Sequence, residues 1–395
     1  MTKWLLLGAA ALSIGACRQA PETLDREDFT EKQWEDVQKS GAAMLFWSAE
    51  EKRDRFTRME DFFNGEEIAP SDNPRPLPEG SPIETSDADQ VMLDADLAGL
   101  MVLQDGKIAY EGYRHGFSAD KRWTSFSTAK LFVGVLAGAA IKDGDLELGQ
   151  PITDFVPELR DVEAYDGVTV EHLLTMSSGV NWNEEYSDPE NDNILLYTRS
   201  TAGELADSDI DPTLDFLRTR VRADEPGAAF DYKSGDSALL GIVVERAVGQ
   251  SLAIYAKEKI VDPAGFAAPM FWMKDAGGHS IGPCCLSLAM ADYARFAQWM
   301  MEGLPDGKGG SIWTDAYRDA ATSIRMPTSE GRGYGYHMNI APNSRFHQGL
   351  FGQGVIYSPK QNVVMIHLSA WETPNVSATN SPRISDWYGK VLGLD

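Results

Sequence analysis

The chain is poor in cysteine, histidine and positive charge. Its 395 residues include 3 cysteines and 6 histidines. Three cysteines are too few for a disulfide framework. Neither an H-E-x-x-H nor a C-x-x-C spacing is present in the sequence, so a zinc site has no support. The adjacent pair Cys284 and Cys285 is expected to remain two buried thiols, with a strained vicinal disulfide as the alternative.

Lysine and arginine total 35 against 60 aspartate and glutamate, a formal net charge of -25. This balance argues against nucleic acid as a partner, because binding phosphate requires basic patches.

The first apolar segment is too short to cross a bilayer in the mature protein. The run Trp4–Ile14 is about half the length of a transmembrane helix, and it leads into a G-A-C sequence ending at Cys17. This ending resembles the bacterial lipobox, in which the cysteine is lipidated. We therefore expect a lipoprotein signal peptide over residues 1–16 and an exported cell-envelope protein held by lipid on Cys17. Because Arg18 follows instead of aspartate, the expected location in a Gram-negative host is the outer membrane, facing the periplasm; an ordinary signal peptide is the alternative.

Turn residues and hydrophobic patterns divide the rest of the chain into segments. Residues 17–82 are expected to form a lipidated extension with surface helices and a Pro-rich linker. The expected sheet domain is discontinuous, over 83–144 and 262–395. Residues 145–261 are expected to form a mostly helical domain, with the active site between the two domains.

Four local elements are predicted at definite positions. Apolar runs on both sides of a D-G turn predict a hairpin over 100–113, and a second hairpin is expected over 355–368. The run Leu131–Ile141 is apolar on all faces, which predicts a buried helix ended by Gly144. Another helix is expected over 286–301.

The leading candidate nucleophile belongs to an S-x-x-K sequence. Ser127 lies at the start of the predicted buried helix, where free N–H groups favour negative charge on the serine oxygen. Lys130 follows at i+3 on the same face, and a lysine facing a buried site loses solvation, which lowers its pKa and enables it to act as a base. The pattern alone is weak, since Ser118 and Lys121 form a second copy in a polar turn. A helix-capping serine and a surface lysine are the alternatives.

Another serine lies in a G-x-S-x-G sequence from Gly278 to Gly282, the pattern of the α/β-hydrolase nucleophile elbow. That elbow requires a strand running into the first glycine and a helix directly after the serine. The residues around Ser280 predict neither. We therefore expect a glycine turn there.

Six segments follow the first predicted hairpin in a characteristic order: Ser127–Lys130, Val170–Gly179, Glu225–Ser234, Asp292–Phe296, Gly333–Tyr336 and Phe346–Gln353. Together they resemble the class C β-lactamase-like serine hydrolases, which include penicillin-binding proteins, esterases and 6-aminohexanoate-dimer hydrolases; the last branch is the most similar. The likeness extends over roughly residues 45–390. It implies a mixed α/β (α+β) fold of the β-lactamase/transpeptidase type, with a central antiparallel sheet flanked by helices and a mostly helical domain.

Two motifs of that family are altered in this chain. The Tyr-x-Asn motif reads Y-K-S from Tyr232 to Ser234. It keeps the tyrosine to which the resemblance assigns proton transfer, and it lacks the amide that would orient substrate. The Lys-Thr-Gly motif reads H-Q-G from His347 to Gly349, and histidine is mostly neutral at pH 7. The site therefore lacks the permanent cation that would bind the carboxylate of a β-lactam or peptide.

The resemblance also implies the remaining site residues. The Leu350 N–H would join the Ser127 N–H in an oxyanion hole, and Gly349 would let the backbone approach the substrate closely. Side chains from two segments are expected to line the cleft. They are Trp182, Glu184, Tyr186, Asp188, Tyr334 and Tyr336. For the first segment, an ordinary surface loop is the alternative.

The expected function is hydrolysis of a small-molecule ester or amide by a Ser127-Lys130-Tyr232 acyl-enzyme mechanism, without metal or other cofactor. One alternative is a β-lactamase or D-Ala-D-Ala carboxypeptidase. Another is a non-catalytic envelope lipoprotein that keeps the fold for binding. The natural substrate and the oligomeric state stay open, because one fold serves many substrates.

Overall fold

Antiparallel strands form the framework of the molecule, which a computed structural model describes over residues 26–83, 87–184, 186, 192–201 and 211–394. The strands are β1 (Gly65–Ile68), β2 (Leu97–Gln104), β3 (Lys107–Tyr113), β4 (Arg122–Thr124), β5 (Met270–Met273), β6 (Leu286–Ala289), β7 (Met326–Ser329), β8 (Arg332–Tyr334), β9 (Asn339–Ala341), β10 (Ser344–Gln348), β11 (Gly354–Ser358) and β12 (Val363–Ser369). One sheet has the order β3-β2-β12-β11-β10-β9-β8-β7 and the other the order β1-β5-β6-β4. All these pairings are antiparallel.

Helices cover the sheets and form the middle of the chain. They are α1 (Glu31–Gln38), α2 (Ala49–Arg55), α3 (Ala88–Asp94), α4 (Ala129–Asp143), α5 (Val170–Leu174), α6 (Asn193–Thr201), α7 (Pro212–Arg218), α8 (Ser234–Val248), α9 (Leu252–Ala256), α10 (Asp262–Ala264), α11 (Met290–Met301), α12 (Asp315–Ala321) and α13 (Ser377–Val391). Helix α11 packs on β11 and β12 of the larger sheet and on β6 of the smaller one. Helix α4 packs against α8 and α9, so it lies within the main hydrophobic core.

The locally encoded elements lie where the sequence predicts them, with one exception. Strands β2 and β3 form the first hairpin around Asp105 and Gly106, both at positive φ, and β11 and β12 form the second. The buried helix is α4, which ends at Gly144 with φ 88°. The helix expected over 286–301 is wrong in its first turn, because those residues form β6 and the helix begins at Met290. Their apolar run completes the small sheet by pairing with β4 and β5.

The N-terminal extension contributes more than the expected surface helices. Its strand β1 pairs with β5 in the small sheet. Phe56 is 0% exposed, and its ring centre lies 5.1 Å from that of Phe126 and 6.0 Å from that of Phe351. The Phe56 carbonyl also accepts a hydrogen bond from Thr124 N at 3.0 Å. The extension therefore supports the segment that leads to Ser127.

The signal peptide, the lipidation of Cys17 and the domain boundaries stay predictions. The signal peptide over 1–16 and Cys17 lie outside the described residues. The domain boundaries drawn from the sequence are likewise not tested. Across the described part of the chain, no single helix has the length and apolar composition of a membrane span; only the bent pair Ser234–Val248 and Leu252–Ala264 meets those criteria jointly.

Candidate active site

Ser127 lies on a turn between strand β4 and the buried helix α4. A 3-10 turn spans Phe126–Thr128 and runs directly into the 15-residue helix. Phe126 has φ 43°, a left-handed conformation that costs a non-glycine residue about 1–3 kcal/mol. The preceding residue is held in place, since Ser125 N donates to Leu286 O at 2.7 Å. This rigid turn presents Ser127, which is partly exposed, at the helix N-terminus.

Lys130 is buried beside Ser127. Its Nζ donates to Ser127 Oγ at 3.0 Å, to Ser234 Oγ at 3.1 Å and to Pro283 O at 3.2 Å. Lys130 is 0% exposed, and burial lowers its pKa to about 8, while the negative charge of Glu184 opposes this shift. A substantial fraction of the lysine is therefore neutral near pH 7 to 8, which is the form that accepts a proton.

Tyr232 joins this pair from the segment that precedes α8. Its ring centre lies 4.9 Å from Lys130 Nζ, and the residue is partly exposed. Burial, assisted by the charge of Glu184, raises the pKa of Tyr232 above its ordinary value, and a hydrogen bond with Ser127 opposes this. The phenol therefore keeps its proton near neutral pH and can donate it.

Ser234 binds the lysine, and Glu184 in turn binds Ser234. Ser234 is the first residue of α8, and its N–H donates to Glu184 Oε1. The same carboxylate oxygen accepts a hydrogen bond from Trp182 Nε1 at 2.7 Å. Ser234 is thus a partner of Lys130, a contact that the comparison with the asparagine motif did not predict. The sequence placed Glu184 only at the cleft wall. Its contact with Ser234 joins residues 50 positions apart, so the local sequence could not reveal it.

The two aromatic residues of the loop around Glu184 have different environments. Trp182 is 7% exposed, and its ring centre lies 6.1 Å from that of Tyr197 and 6.0 Å from that of Phe216. These contacts indicate that Trp182 packs the loop onto the core. Tyr186 is partly exposed and has φ 54°; it lies close enough to Tyr232 for the two phenols to affect each other's ionisation. Tyr186 is therefore the better candidate for contact with substrate. Asp188, expected on the same loop, lies outside the described residues.

The turn after β10 lies tightly against the Ser127 turn. A Cβ atom on Gly349 would lie 2.7 Å from Ser125 O and 2.9 Å from Phe126 Cβ. No larger residue fits at Gly349 unless the two turns move apart. The glycine therefore lets the second turn approach the backbone of Ser127.

Gln353 accepts hydrogen bonds from two N–H groups of this second turn, those of Gly349 and Phe351, and not from the Leu350 N–H between them. Its carbonyl oxygen accepts from Gly349 N at 2.8 Å, and its side-chain oxygen accepts from Phe351 N at 3.3 Å. Among the described residues, the N–H groups of Leu350 and Ser127 have no acceptor. Two N–H groups on adjoining turns are thus available, as an oxyanion hole requires.

His347 is a neutral side chain at the position of the expected third motif. It is 1% exposed; burial, and then the charge of Lys130, keep its pKa well below the ordinary value. Its ring centre lies 6.1 Å from that of Tyr232, and its Nε2 lies 3.5 Å from the Tyr334 hydroxyl. The structure therefore places no fixed cation at this motif.

Tyr336 has contacts that differ from those expected of a cleft wall. It is 2% exposed, its hydroxyl donates to Glu171 Oε1 at 2.6 Å, and its ring centre lies 5.0 Å from that of Tyr317. These contacts indicate a packing role, and they do not support contact with substrate. Tyr334, two residues earlier, is the member of this pair that lies beside His347.

Ser280 of the G-x-S-x-G sequence lies in a buried turn. It is 3% exposed, and its Oγ accepts a hydrogen bond from Ala253 N at 3.4 Å. The next regular element is β6, not a helix. Ser280 therefore lacks both the exposure and the strand-to-helix setting of a nucleophile elbow.

The expectation of two buried thiols is wrong. Cys284 and Cys285 form a disulfide, with their Cα atoms 3.7 Å apart. Cys285 is buried and has φ 74°, whereas Cys284 is partly exposed. Neither the pairing nor this left-handed backbone can be inferred from the residue types. The pair directly follows Pro283, whose carbonyl oxygen is bound by Lys130.

Comparison with known proteins identifies relatives that are hydrolases. Over 326 residues the chain is 28% identical to the 6-aminohexanoate-dimer hydrolase of Paenarthrobacter ureafaciens, and the alignment covers 78% of this chain and 79% of that protein. Over 281 residues it is 29% identical to esterase EstB of Burkholderia gladioli, covering 67% of this chain and 63% of the esterase.

The fold is shared with solved structures. A structure described as a 6-aminohexanoate-dimer hydrolase from Bacillus anthracis superposes with a TM-score of 0.74 at 19% identity, covering 87% of this chain and 95% of that one. Such a distant likeness shows the fold alone, and it confirms the expected mixed α/β architecture. The sequence model of the Beta-lactamase family matches residues 92–385, more than half of the chain. The chain therefore belongs to the Beta-lactamase family of serine hydrolases, as the resemblance predicts.

Proposed function

We propose that this hydrolase cleaves a small-molecule ester or amide through an acyl-enzyme on Ser127. The observation that carries the proposal is the 3.0 Å contact between Lys130 Nζ and Ser127 Oγ, made by a lysine that is 0% exposed. A lysine in water is almost entirely an ammonium ion at neutral pH, whereas burial gives Lys130 a pKa of about 8. Lys130 can therefore act as the base for Ser127.

Acylation follows from the groups around Ser127. Neutral Lys130 takes the proton from Ser127 Oγ as this oxygen attacks the substrate carbonyl carbon. The N–H groups of Ser127 and Leu350 bind the negatively charged oxygen of the tetrahedral intermediate. When the bond to the leaving group breaks, Tyr232 gives its proton to the departing oxygen or nitrogen and regains one from the Lys130 ammonium.

Deacylation uses the same groups in reverse. Water attacks the acyl-enzyme carbonyl, and Tyr232 and Lys130 together accept its proton. The second tetrahedral intermediate collapses, the bond to Ser127 Oγ breaks, and the serine oxygen regains a proton from Lys130. The products are a carboxylic acid and an alcohol or amine, and no metal or other cofactor takes part in any step.

The polarity of the site favours substrates without an anionic group near His347. This histidine is neutral and buried, so it supplies no charge for the carboxylate of a β-lactam or a D-Ala-D-Ala peptide. Relatives named as an esterase and a 6-aminohexanoate-dimer hydrolase support the same choice. A neutral p-nitrophenyl ester should thus be hydrolysed faster than a chromogenic cephalosporin; equal rates would favour the β-lactamase function.

Labelling with a fluorophosphonate tests the proposed nucleophile. The full chain is incubated with the probe, digested and mapped by mass spectrometry, with Ser127→Ala and Ser280→Ala variants in parallel. We expect one adduct on Ser127, retained in the Ser280→Ala protein and lost in the Ser127→Ala protein. An adduct on Ser280, or none in the folded enzyme, would contradict the proposal.

We also propose that the enzyme works in the cell envelope, attached by lipid on Cys17. The support is the short apolar run followed by the G-A-C sequence. Growth with a radiolabelled fatty acid should label the full chain and leave a Cys17→Ala variant unlabelled. Equal labelling of both forms, or of neither, would contradict the anchor.

A further inference from the structure

The disulfide of this chain lies next to the proposed base. Cys284 and Cys285 are paired, and the preceding residue, Pro283, accepts a hydrogen bond from Lys130 Nζ at 3.2 Å through its carbonyl oxygen. Strand β6 begins immediately after the pair, at Leu286. The disulfide therefore occupies the link between the lysine's carbonyl partner and a strand of the small sheet.

The strand side of this link holds the nucleophile turn. Leu286 O accepts from Ser125 N at 2.7 Å, and Leu286 N donates to Ser125 Oγ at 3.2 Å. The Cys285 carbonyl is also fixed, since it accepts from Met273 N at 3.1 Å. Leu286 and the Cys285 carbonyl are thus bound to the framework that positions Ser127. The disulfide joins this fixed segment to Cys284, the residue that follows Pro283.

The Pro283 carbonyl has a specific effect on the lysine. A neutral amine has two N–H bonds and one lone pair, and Lys130 has three partners. A carbonyl oxygen only accepts, whereas the hydroxyls of Ser127 and Ser234 can donate or accept. Pro283 therefore takes one N–H, which leaves the lone pair and the other N–H for the two hydroxyls. By holding one N–H away from the two hydroxyls, the Pro283 carbonyl leaves the lone pair available to Ser127.

The disulfide restrains the backbone next to the Pro283 carbonyl. It closes a small ring through the peptide bond between Cys284 and Cys285. Cys285 has φ 74°, a left-handed conformation that few residues other than glycine and asparagine adopt. Without the ring, Cys285 is free to relax toward ordinary backbone angles, and this change would turn the carbonyl of Pro283. Cys284 is partly exposed and Cys285 is 0% exposed, so a reductant would approach the bond from the side of Cys284.

We propose that the Cys284–Cys285 disulfide is a positioning element of the active site, which keeps the Pro283 carbonyl on Lys130, and that its reduction lowers turnover. The inference rests on the proposed role of Lys130 as the base. A dithiol reductant supplies two electrons and two protons: the S–S bond breaks, two thiols form, and the reductant becomes a disulfide. Reoxidation by an added disulfide reverses the change.

The test compares two full-length proteins that lack the third cysteine, the parent Cys17→Ala and the triple variant Cys17→Ala/Cys284→Ser/Cys285→Ser. On a p-nitrophenyl ester we expect the triple variant to lose about tenfold in kcat, with KM changed less than about threefold, because misplacing a base slows the chemical step more than binding. The acid limb of its pH–kcat profile should move to lower pH, since the ammonium form loses an acceptor. Dithiothreitol should cause the same changes in the parent and none in the triple variant.

Unchanged kcat and an unchanged acid limb in the triple variant and in the reduced parent would overturn the proposal. A purely structural role would lower the melting temperature and leave the acid limb in place, which also contradicts it. If the triple variant fails to fold by circular dichroism, the reduced parent decides by the same criteria; unfolding of the parent on reduction would likewise contradict positioning of the lysine. Fluorophosphonate labelling separates the two proposals. Labelled Ser127 with unaltered kinetics refutes only this inference, whereas an unlabelled parent refutes the proposed function.

Discussion

The two S-x-x-K sequences of this chain contain the same residue types in different chemical settings. In the second, Lys130 is 0% exposed and its Nζ lies 3.0 Å from Ser127 Oγ. In the first, Ser118 Oγ donates to Asp120 Oδ1 at 2.5 Å, and the Nζ of the exposed Lys121 donates to Gly116 O at 2.7 Å instead of to the serine hydroxyl. The same four-residue pattern therefore brings the serine hydroxyl and the lysine amine together at one place and not at the other.

The helix and the core make the difference. Positions i and i+3 lie on one face of a helical segment, and the 3-10 turn that holds Ser127 continues into α4, so Lys130 brings its amine to the serine. The core around α4 removes water from Lys130 and lowers its pKa to about 8, whereas Lys121 is exposed in a turn. A pattern search that ignores burial gives the two sequences equal weight. The burial of the lysine separates a base from a surface charge.

Removal of each serine should give the largest difference in activity between the two S-x-x-K sequences. Ser127→Ala is expected to lower kcat/KM for a p-nitrophenyl ester by about 10³-fold or more, because it removes the oxygen that forms the proposed acyl-enzyme. Ser118→Ala should stay within about twofold of the parent, since it removes only a surface hydrogen bond. Comparable losses in both variants would refute the assignment.

The lysines form the next pair. Lys130→Ala should lower kcat by about 10²- to 10⁴-fold, the usual contribution of a general base, while Lys121→Ala keeps near-normal kcat. Steady-state kinetics with the same ester measures both. A Lys130→Ala enzyme that retains most of its turnover would show that another group deprotonates Ser127.

A smaller effect is expected at Tyr232. Tyr232→Phe should reduce kcat by about 10- to 100-fold, because the leaving group loses its proton donor. The matched control is Tyr336→Phe, which removes a buried hydroxyl bound to Glu171 and should cost stability more than turnover. Unchanged kcat in Tyr232→Phe would remove this tyrosine from the mechanism.

The smallest effect is expected at the carboxylates near each lysine. Glu184 raises the pKa of Lys130, so Glu184→Gln should move the acid limb of the pH–kcat profile to lower pH, with only a few-fold change in kcat at high pH. Asp120→Asn, next to Lys121, should leave the limb in place. A limb that moves to higher pH in Glu184→Gln would contradict the electrostatic role of the carboxylate.

Features encoded by neighbouring residues could be predicted from the sequence. The two hairpins have apolar runs bounded by turn residues, and α4 has a continuous apolar run ended by Gly144, so local chemistry is sufficient for each. Strand β6 could not be predicted, because its four residues join the helix without a turn residue. The contacts that Phe56 makes in the core could not be predicted either, since its partners Phe126 and Phe351 are distant in sequence.

The candidate site likewise has features that the local sequence predicts and features that it does not. Ser127 and Lys130 are three residues apart where a 3-10 turn continues into α4, so their contact follows from local helical geometry. The approach of Gly349 to the Ser127 turn was implied only by family resemblance. The contact of Glu184 with Ser234 and the Cys284–Cys285 disulfide depend on tertiary structure and backbone angles that residue types do not specify.

The pH dependence of acylation tests the central claim most directly, because it reports the ionisation of the base before product release. Stopped-flow release of p-nitrophenol in a single turnover, followed from roughly pH 6 to pH 9, measures it. A base is active when deprotonated, so the rate should rise with pH and level off above the Lys130 pKa of about 8. A flat profile over this range, with acylation still the slow step, would contradict a buried Lys130 acting as the base for Ser127.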